Sequence, residues 1–167
     1  ANPTGPLHFG NARGGPIGDA LASVLEFSGY RVIREYIHND IGVQVEKLGS
    51  SILNVASGKK LEEQEYKGEY VNEFAEAFKE ANLEDQDSKA VGKWAVDKLL
   101  EEIKADCLAI GIKFDEFYPE SEFVNSGQTK EDIENLREKG VLKEKDGALW
   151  FAPSDEFLED RETVVVK

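Results

Sequence analysis

The first eleven residues, which read ANPTGPLHFGN, form a loop rich in proline and glycine that could hold a phosphate chain. His8 and Gly10 lie where this loop is predicted to enter a helix. The first N–H groups of a helix have no partner within it and carry partial positive charge, which favours anions. An imidazole adds a donor that can follow charge developing on a phosphoryl group, and a glycine leaves room for a flat base. The pattern predicts a nucleotide site, with an ordinary helix-capping loop as the alternative.

A second polar cluster follows the next predicted strand. Asp40 and Gln44 lie at the end of that strand, and open α/β sheets bind ligands beyond the carboxyl ends of their strands. We therefore expect both side chains to contact substrate, although Asn39 and Asp40 would also make a good cap for the following helix. His38 precedes that pair. We expect its imidazole to face solvent or bond locally rather than to act in catalysis.

These residues need an α/β frame to position them. Apolar residues at helical spacing predict a helix over residues 12–28, although Pro16 lacks the N–H that an interior turn would use. Residues that favour strands predict a strand over 30–37, and a helix is predicted over 41–57. Loop, helix and strand in this order form the second half of a βαβ unit, whose first strand would end just before Asn2. The chain is therefore expected to be a fragment.

Further along, the sequence predicts helices mixed with short strands. Amphipathic spacing predicts a helix around residues 70–78 and a long helix that is capped by Ser88 and ends near Ile110. The final segment, 163–166, is continuously β-branched and is predicted to be a strand, buried on both faces, that rejoins the parallel sheet. The remaining predictions are an acidic loop at 83–87, an extended segment at 114–124, a helix capped by Thr129 that ends at Lys139, and hairpin strands at 141–145 and 148–151 around Asp146 and Gly147.

Length and composition limit the possible classes. A chain of 167 residues with 40% hydrophobic and 10% aromatic residues is typical of one globular domain, here with an insertion. We expect residues 1–58 to be the nucleotide-binding part, 59–154 an inserted mixed helical and β region, and 155–167 the return strand. The single cysteine, Cys107, falls on an apolar helical stripe, so we expect it to be buried.

Charge and missing motifs exclude several functions. Thirty-four acidic residues face twenty basic ones, for a net charge of −14, so this segment alone should not bind nucleic acid tightly. The sequence lacks the usual motifs of dinucleotide-binding dehydrogenases, P-loop enzymes and Ser/His/Asp hydrolases. One cysteine cannot build a cysteine-rich zinc site, and no metal site is expected. There is no apolar run long enough for a membrane span and no signal-peptide pattern, so the cytoplasm is the expected location.

Five blocks of sequence resemble one enzyme family. The string HFGN at residues 8–11 is similar to the HIGH signature of class I aminoacyl-tRNA synthetases, with asparagine in the last place. The flanking NPTGPL and AR, and the block REYIHNDIGVQ at 34–44, resemble the arginyl-tRNA synthetase version. GIKFD at 111–115, GALWF at 147–151 and DR at 160–161 follow in the order of that family. The resemblance covers nearly the whole chain and implies a Rossmann-like α/β fold with a connective insertion.

The resemblance also implies roles for single residues. His8 would contact the triphosphate and stabilise charge on the α-phosphate while a carboxylate attacks it. Gly10 would let adenine pack against backbone, and Asn11, where the family usually has a second histidine, could donate a hydrogen bond without carrying charge. Asn2 matches the position that touches bound arginine, through either its amide oxygen or its nitrogen. Arg13 is expected to be structural.

The implied activity is that of an arginine–tRNA ligase. The whole enzyme would activate arginine with ATP, supplied with Mg²⁺, to arginyl-adenylate and pass the arginyl group to tRNA(Arg). The isolated segment is expected to be inactive. Two alternatives stay open on the sequence: another class I synthetase or nucleotidyltransferase, which would share the adenylyl chemistry of the loop, and a non-catalytic binding module derived from a synthetase.

Overall fold

A computed structural model describes residues 2–81, 87–152 and 163–166, with the side chains of residues 11 and 12 left out. The chain divides into two compact units, Ala1–Ser121 and Glu122–Lys167. The described residues of the first unit form helices and a parallel pair of strands. Its elements are α1 (Phe9–Ala12), α2 (Gly14–Phe27), β1 (Glu35–His38), α3 (Val43–Ala56), α4 (Glu69–Ala81), α5 (Ser88–Ala109) and β2 (Glu116–Pro119), followed by α6 (Glu120–Ser126).

The core of the first unit lies between α3, α4 and α5. Each helix has apolar residues at a spacing of three or four, which places them on one face. Leu48 and Ile52 of α3 and Leu99 of α5 are fully buried there. Trp94 packs edge-on against Phe74. The core residues are Val45, Leu48, Ile52, Val71, Phe74, Ala75, Val91, Ala95, Val96 and Leu99.

Two glycines let α3 and α5 approach closely. A Cβ placed on Gly49 would lie 1.8 Å from the carbonyl oxygen of Ser88, and one on Gly92 would lie 2.1 Å from that of Val45. Neither distance is possible for a real side chain, so any residue larger than glycine at either position would force the two helices apart. The amphipathic pattern did not reveal this contact, because it depends on two glycines far apart in sequence.

α2 contrasts with this core. The helix starts at Gly14, after a break at Arg13, so Pro16 falls in its first turn, where no N–H is needed. Only Ala22 of α2 is buried. Its apolar face lines a groove of about 470 Å³ among the described residues, together with Cys107, which is buried as expected.

One arginine ties α2 to the strand that follows it. The guanidinium of Arg34 binds Asp19 at 3.0 Å and both carboxylate oxygens of Glu26 at 2.7 and 3.1 Å. The hydrogen bond to Glu26 raises the pKa of Arg34 above its ordinary value. The backbone N–H of Arg34 also donates to Asp115 at 2.7 Å. Arg34 therefore connects α2, the segment before β1 and the segment before β2.

The parallel pair is shorter than the sequence suggested. β1 covers Glu35–His38 rather than residues 30–37, and it pairs with β2 in parallel, with Glu35 opposite Glu116 and His38 opposite Pro119. The predicted extended segment 114–124 is wrong beyond Pro119, because α6 begins at the next residue. α3, α4 and α5 all lie between β1 and β2 in the chain, as in a long crossover connection.

The described residues of the second unit contain the end of α6, a further helix and an antiparallel sheet. β3 (Leu142–Lys145) and β4 (Ala148–Phe151) form the predicted hairpin. Its turn places Asp146 at φ 53° and Gly147 at φ 72°, as an Asp-Gly turn requires. The segment 163–166 is a strand, but the predicted return to the parallel sheet is wrong, because it pairs antiparallel with β4 and is largely exposed. The elements are α7 (Gln128–Glu138), β3 (Leu142–Lys145), β4 (Ala148–Phe151) and β5 (Thr163–Val166).

Two predicted helix caps are displaced by one or two residues. Asp87, not Ser88, caps α5, since its side chain accepts a hydrogen bond from the N–H of Ala90 at 2.8 Å. Gly127 in the left-handed conformation precedes α7, so Thr129 lies inside that helix. Most of the predicted acidic loop at 83–87 lies outside the described residues, as does most of the region 155–167. The division at residues 58 and 154 stays a prediction.

Candidate functional site

The opening loop is joined to the start of α3 by two predicted substrate residues. Nδ2 of Asn2 donates to Oε1 of Gln44 at 2.6 Å, and both residues are exposed. Gln44 lies in the first turn of α3, just after Gly42, whose φ of 88° lets the chain turn into the helix. The structure therefore brings together two residues that lie 42 positions apart in the sequence.

His8 and Gly10 form a second contact within the loop. Nδ1 of the exposed His8 accepts a hydrogen bond from the backbone N–H of Gly10 at 3.1 Å. A Cβ at Gly10 would lie 3.0 Å from Cε1 and 3.1 Å from Nδ1 of the same ring, which is too close for ordinary contact. Gly10 is thus needed for the ring to fold back over its own backbone. Because Nδ1 accepts, the neutral ring carries its proton on Nε2.

The helix that follows His8 differs from the expectation. α1 has only four residues and stops before Arg13, so the predicted long helix does not start at the loop. A helix of one turn has a small macrodipole. The N–H of Gly10, one of the groups expected to face a phosphate, is taken by His8. In this loop the imidazole of His8, rather than the N-terminus of a helix, is the group that could donate a hydrogen bond to a phosphate.

Asn11 and Arg13 follow His8 and Gly10 in the sequence. Asn11 lies in α1, and its side chain lies outside the described atoms. Arg13 is exposed at the break between α1 and α2, and its N–H donates to the carbonyl of Phe9 at 3.3 Å. The structural role expected of Arg13 stays a prediction.

Asp40 is buried rather than aimed at solvent. Only 3% of its surface is exposed, and its carboxylate accepts hydrogen bonds from the N–H and the hydroxyl of Ser121 at 2.9 and 2.6 Å. The ammonium of Lys93 lies 3.6 Å away. Burial raises the pKa of the Asp40 carboxyl, but these hydrogen bonds and the ammonium outweigh it, so the pKa lies below its ordinary value. Asp40 therefore connects β1 to α5 and to the start of α6.

The alternative role of Asp40 as a helix cap is wrong. α3 has no side-chain cap, and its N-cap position is Gly42. Asn39 instead accepts a hydrogen bond from the N–H of Ile41 at 3.1 Å, which forms a local turn. Ser121 and Lys93 were missed by sequence reasoning because both are distant in the chain, and no local pattern links them to Asp40.

His38 is buried, so the expectation that it faces solvent is wrong, whereas its hydrogen bond with the backbone of Tyr36 agrees with the expected local bonding. It is 6% exposed, and among the described residues its Nδ1 finds no hydrogen-bond partner. Burial lowers the pKa of the imidazole, and the nearby Asp40 carboxylate opposes that shift. The ring lies 6.4 Å from that of Tyr36, which is on the same face of β1.

The described residues contain no group of three His, Cys, Asp or Glu side chains that could hold a metal ion. No helix of the described part of the chain is both long and apolar enough to cross a membrane.

The whole chain matches one protein family. The sequence model described as "tRNA synthetases class I (R), catalytic domain" matches residues 1–167. The chain is 40% identical over 163 residues to an arginine–tRNA ligase of Caldanaerobacter subterraneus subsp. tengcongensis, with 90% of the chain and 29% of the relative covered. It is 38% identical over 179 residues to that of Acetivibrio thermocellus, with 99% of the chain and 32% of the relative covered.

Solved structures show the same fold. A crystal structure described as an arginyl-tRNA synthetase of Campylobacter jejuni matches with a TM-score of 0.79 and 34% identity, over 100% of this chain and 39% of that one. An arginyl-tRNA synthetase of Plasmodium falciparum matches in fold, with a TM-score of 0.62 at 20% identity, over 92% of this chain and 28% of that one.

The fold and the sequence define an α/β catalytic domain of a class I aminoacyl-tRNA synthetase. Within that class, the chain belongs to the arginyl-tRNA synthetase family. It spans 29–32% of the length of the curated relatives described above. The resemblance inferred from the HFGN string and its companion blocks is therefore confirmed.

Proposed function

We propose that residues 1–167 form one wall of the arginine and ATP sites of an arginine–tRNA ligase that works in the cytoplasm. The enzyme would activate arginine with Mg·ATP to arginyl-adenylate and then pass the arginyl group to tRNA(Arg). The hydrogen bond between Asn2 and Gln44, next to the His8 and Gly10 contact, carries this proposal. It joins a residue of the opening loop to one of the block at 34–44, so two of the five blocks that resemble the family meet at one place.

Asn2 would recognise the guanidinium of arginine. Its Nδ2 already donates to Gln44, which fixes the plane of the amide. Oδ1 is then the atom best placed to accept from a cationic donor, and hydrogen bonds to charged groups are among the stronger ones. Of the two alternatives open at this residue, the geometry favours the oxygen on guanidinium over the nitrogen on carboxylate.

His8 would stabilise the α-phosphate. Attack of the arginine carboxylate on the α-phosphorus forms the mixed anhydride and releases pyrophosphate, so negative charge develops on the phosphate oxygens. A neutral ring with its proton on Nε2 can donate to one of them, and Gly10 holds the ring in that tautomer. Asn11, in the same turn, would add a donor without charge. Asp40 remains a proposed substrate residue, although its carboxylate is buried against Ser121 and Lys93.

The test is arginine-dependent pyrophosphate exchange by the complete product of the gene that encodes this chain, with total tRNA present. We expect exchange with arginine and not with glutamate or cysteine. His8→Ala should lower kcat by about 10²–10³-fold, as loss of one such donor does. Lys79→Ala, an exposed change on α4, is the matched control and should retain full activity. Exchange with another amino acid, or full activity of His8→Ala, would contradict the proposal.

The isolated 167-residue chain should not charge tRNA, because it spans 29–32% of the length of its relatives. Its excess of acidic residues gives it little means of holding a polyanion. Charging of tRNA with labelled arginine by the purified chain would overturn this expectation.

A further inference from the structure

Tyr70 lies outside all five blocks that resemble the family, and it contacts the opening loop. It lies in the first turn of α4, and its hydroxyl donates to the carbonyl oxygen of Thr4 at 3.1 Å. The two residues are 66 positions apart. Thr4 is 8% exposed and Pro3 is almost fully buried, so this part of the loop is packed down rather than free in solvent.

The local backbone is shaped around the Tyr70 ring. A Cβ on Gly5 would lie 3.4 Å from the Tyr70 hydroxyl, so the ring end rests against the backbone of the loop. Gly68 has φ +147°, and a Cβ there would lie 3.1 Å from the ring edge. Glycines on both sides therefore give the ring its place. Burial raises the pKa of the hydroxyl, which keeps it protonated and able to donate at neutral pH.

A continuous set of contacts leads from Tyr70 to the amide of Asn2. The Tyr70 hydroxyl holds the Thr4 carbonyl, and the Thr4 N–H donates to the Asn2 carbonyl at 2.8 Å. The Asn2 side chain then donates to Gln44 at 2.6 Å. The loop is thus held from two helices, by α4 through Tyr70 and by α3 through Gln44, with Asn2 between them.

We propose that Tyr70 is a positioning residue for the arginine site, which acts by fixing the Thr4 carbonyl and with it the orientation of the Asn2 amide. The proposal rests on the proposed function, in which Asn2 contacts the substrate. Tyr70 itself touches the loop backbone and need not touch arginine. Its loss should therefore weaken arginine binding while leaving the chemistry at His8 intact.

The experiment is steady-state pyrophosphate exchange by the complete gene product carrying Tyr70→Phe. One neutral hydrogen bond is lost, so we expect KM for arginine to rise roughly three- to tenfold, with KM for ATP and kcat nearly unchanged. Tyr66→Phe is the matched control, because Tyr66 is also half-buried and packs against the same core. That variant should keep the wild-type KM for arginine.

A second measurement separates positioning from folding. In the 167-residue chain, hydrogen exchange at the Thr4 amide should become several-fold faster in Tyr70→Phe, while exchange at the buried Ile52 of α3 stays unchanged. The positioning role is refuted if the wild-type enzyme shows arginine-dependent pyrophosphate exchange while Tyr70→Phe keeps the wild-type KM for arginine and the wild-type rate of hydrogen exchange at the Thr4 amide. If wild-type enzyme shows no arginine-dependent exchange at all, the proposed function fails instead.

Discussion

Helices α2 and α3 of the first unit have similar apolar faces, but that of α3 is buried and that of α2 is largely exposed. Leu48 and Ile52 of α3 are fully buried against α4 and α5. On α2, Leu21 is 59% exposed and Val24 is 61% exposed, although they recur at the same helical spacing. The difference lies in the partner: α3 packs closely on α5, whereas the groove beside α2 stays open among the described residues.

This contrast shows what amphipathic spacing does and does not tell. The spacing states which face of a helix prefers apolar neighbours. It contains no information about whether those neighbours lie within the same stretch of chain. We therefore expect the stability of the first unit to depend mainly on the contact between α3 and α5, and only weakly on α2.

The largest difference should come from removing the same atoms at two leucines. Leu48→Ala empties a fully buried site and should lower the free energy of unfolding by about 3–4 kcal/mol. Leu21→Ala removes an exposed side chain and should cost less than about 0.5 kcal/mol. Urea unfolding of the 167-residue chain, followed by circular dichroism, measures both. Equal losses would mean that α2 is as well packed as α3.

A pair of glycine substitutions sharpens the comparison. Gly49→Ala places a methyl group against the backbone of Ser88 and should destabilise the chain by about 2–3 kcal/mol. Gly18→Ala on α2 has no atom within 4 Å to meet and should stabilise it by about 0.5–1 kcal/mol, because alanine is the better helix former. Thermal unfolding of the two variants gives the sign directly. A stabilising Gly49→Ala would rule out the close helix crossing.

The smallest effect concerns the link between β1 and α5. The folded pKa of Asp40 lies below the unfolded value of about 3.9, so its carboxylate contributes stability above that pH, and this is lost as the pH falls through the folded pKa. Asp40→Asn should cost about 2 kcal/mol at pH 7. The difference in free energy of unfolding between Asp40→Asn and wild type should become smaller below about pH 4.

Asp97→Asn is the matched control, since Asp97 also faces Lys93, at 3.7 Å, but is exposed. Exposed ion pairs contribute little to stability, so unfolding of this variant should match wild type across the pH range. If the difference in free energy of unfolding between Asp40→Asn and wild type stays constant from pH 7 to pH 3, the charge of the Asp40 carboxylate does not stabilise the contact of β1 with α5.

Local patterns predicted most elements of this fold. Helical spacing located α3 and α5 to within a few residues, and the pair Asp146 and Gly147 marked the hairpin, because these features depend on neighbours in the chain. β5 was placed in the wrong sheet, since β-branched residues favour a strand but do not select its partner.

The sequence marked residues of the candidate site but not the contacts between them. The HFGN string singled out His8 and Gly10, and the structure adds the hydrogen bond that joins them. The partners of Asp40 and Thr4 lie 81 and 66 positions away, and no local signal connects them. Asp40 illustrates the consequence, because its position beside β1 suggested a ligand contact, whereas its burial depends on residues near the far end of the crossover.

The bond between Asp40 and Ser121 has a consequence for how this region can vary. Asp40 follows β1 and Ser121 follows β2, so their hydrogen bond joins the two ends of the crossover that contains α3, α4 and α5. We expect residues inserted into the exposed stretch 57–60 to lengthen this crossover without disturbing the pairing of β1 with β2.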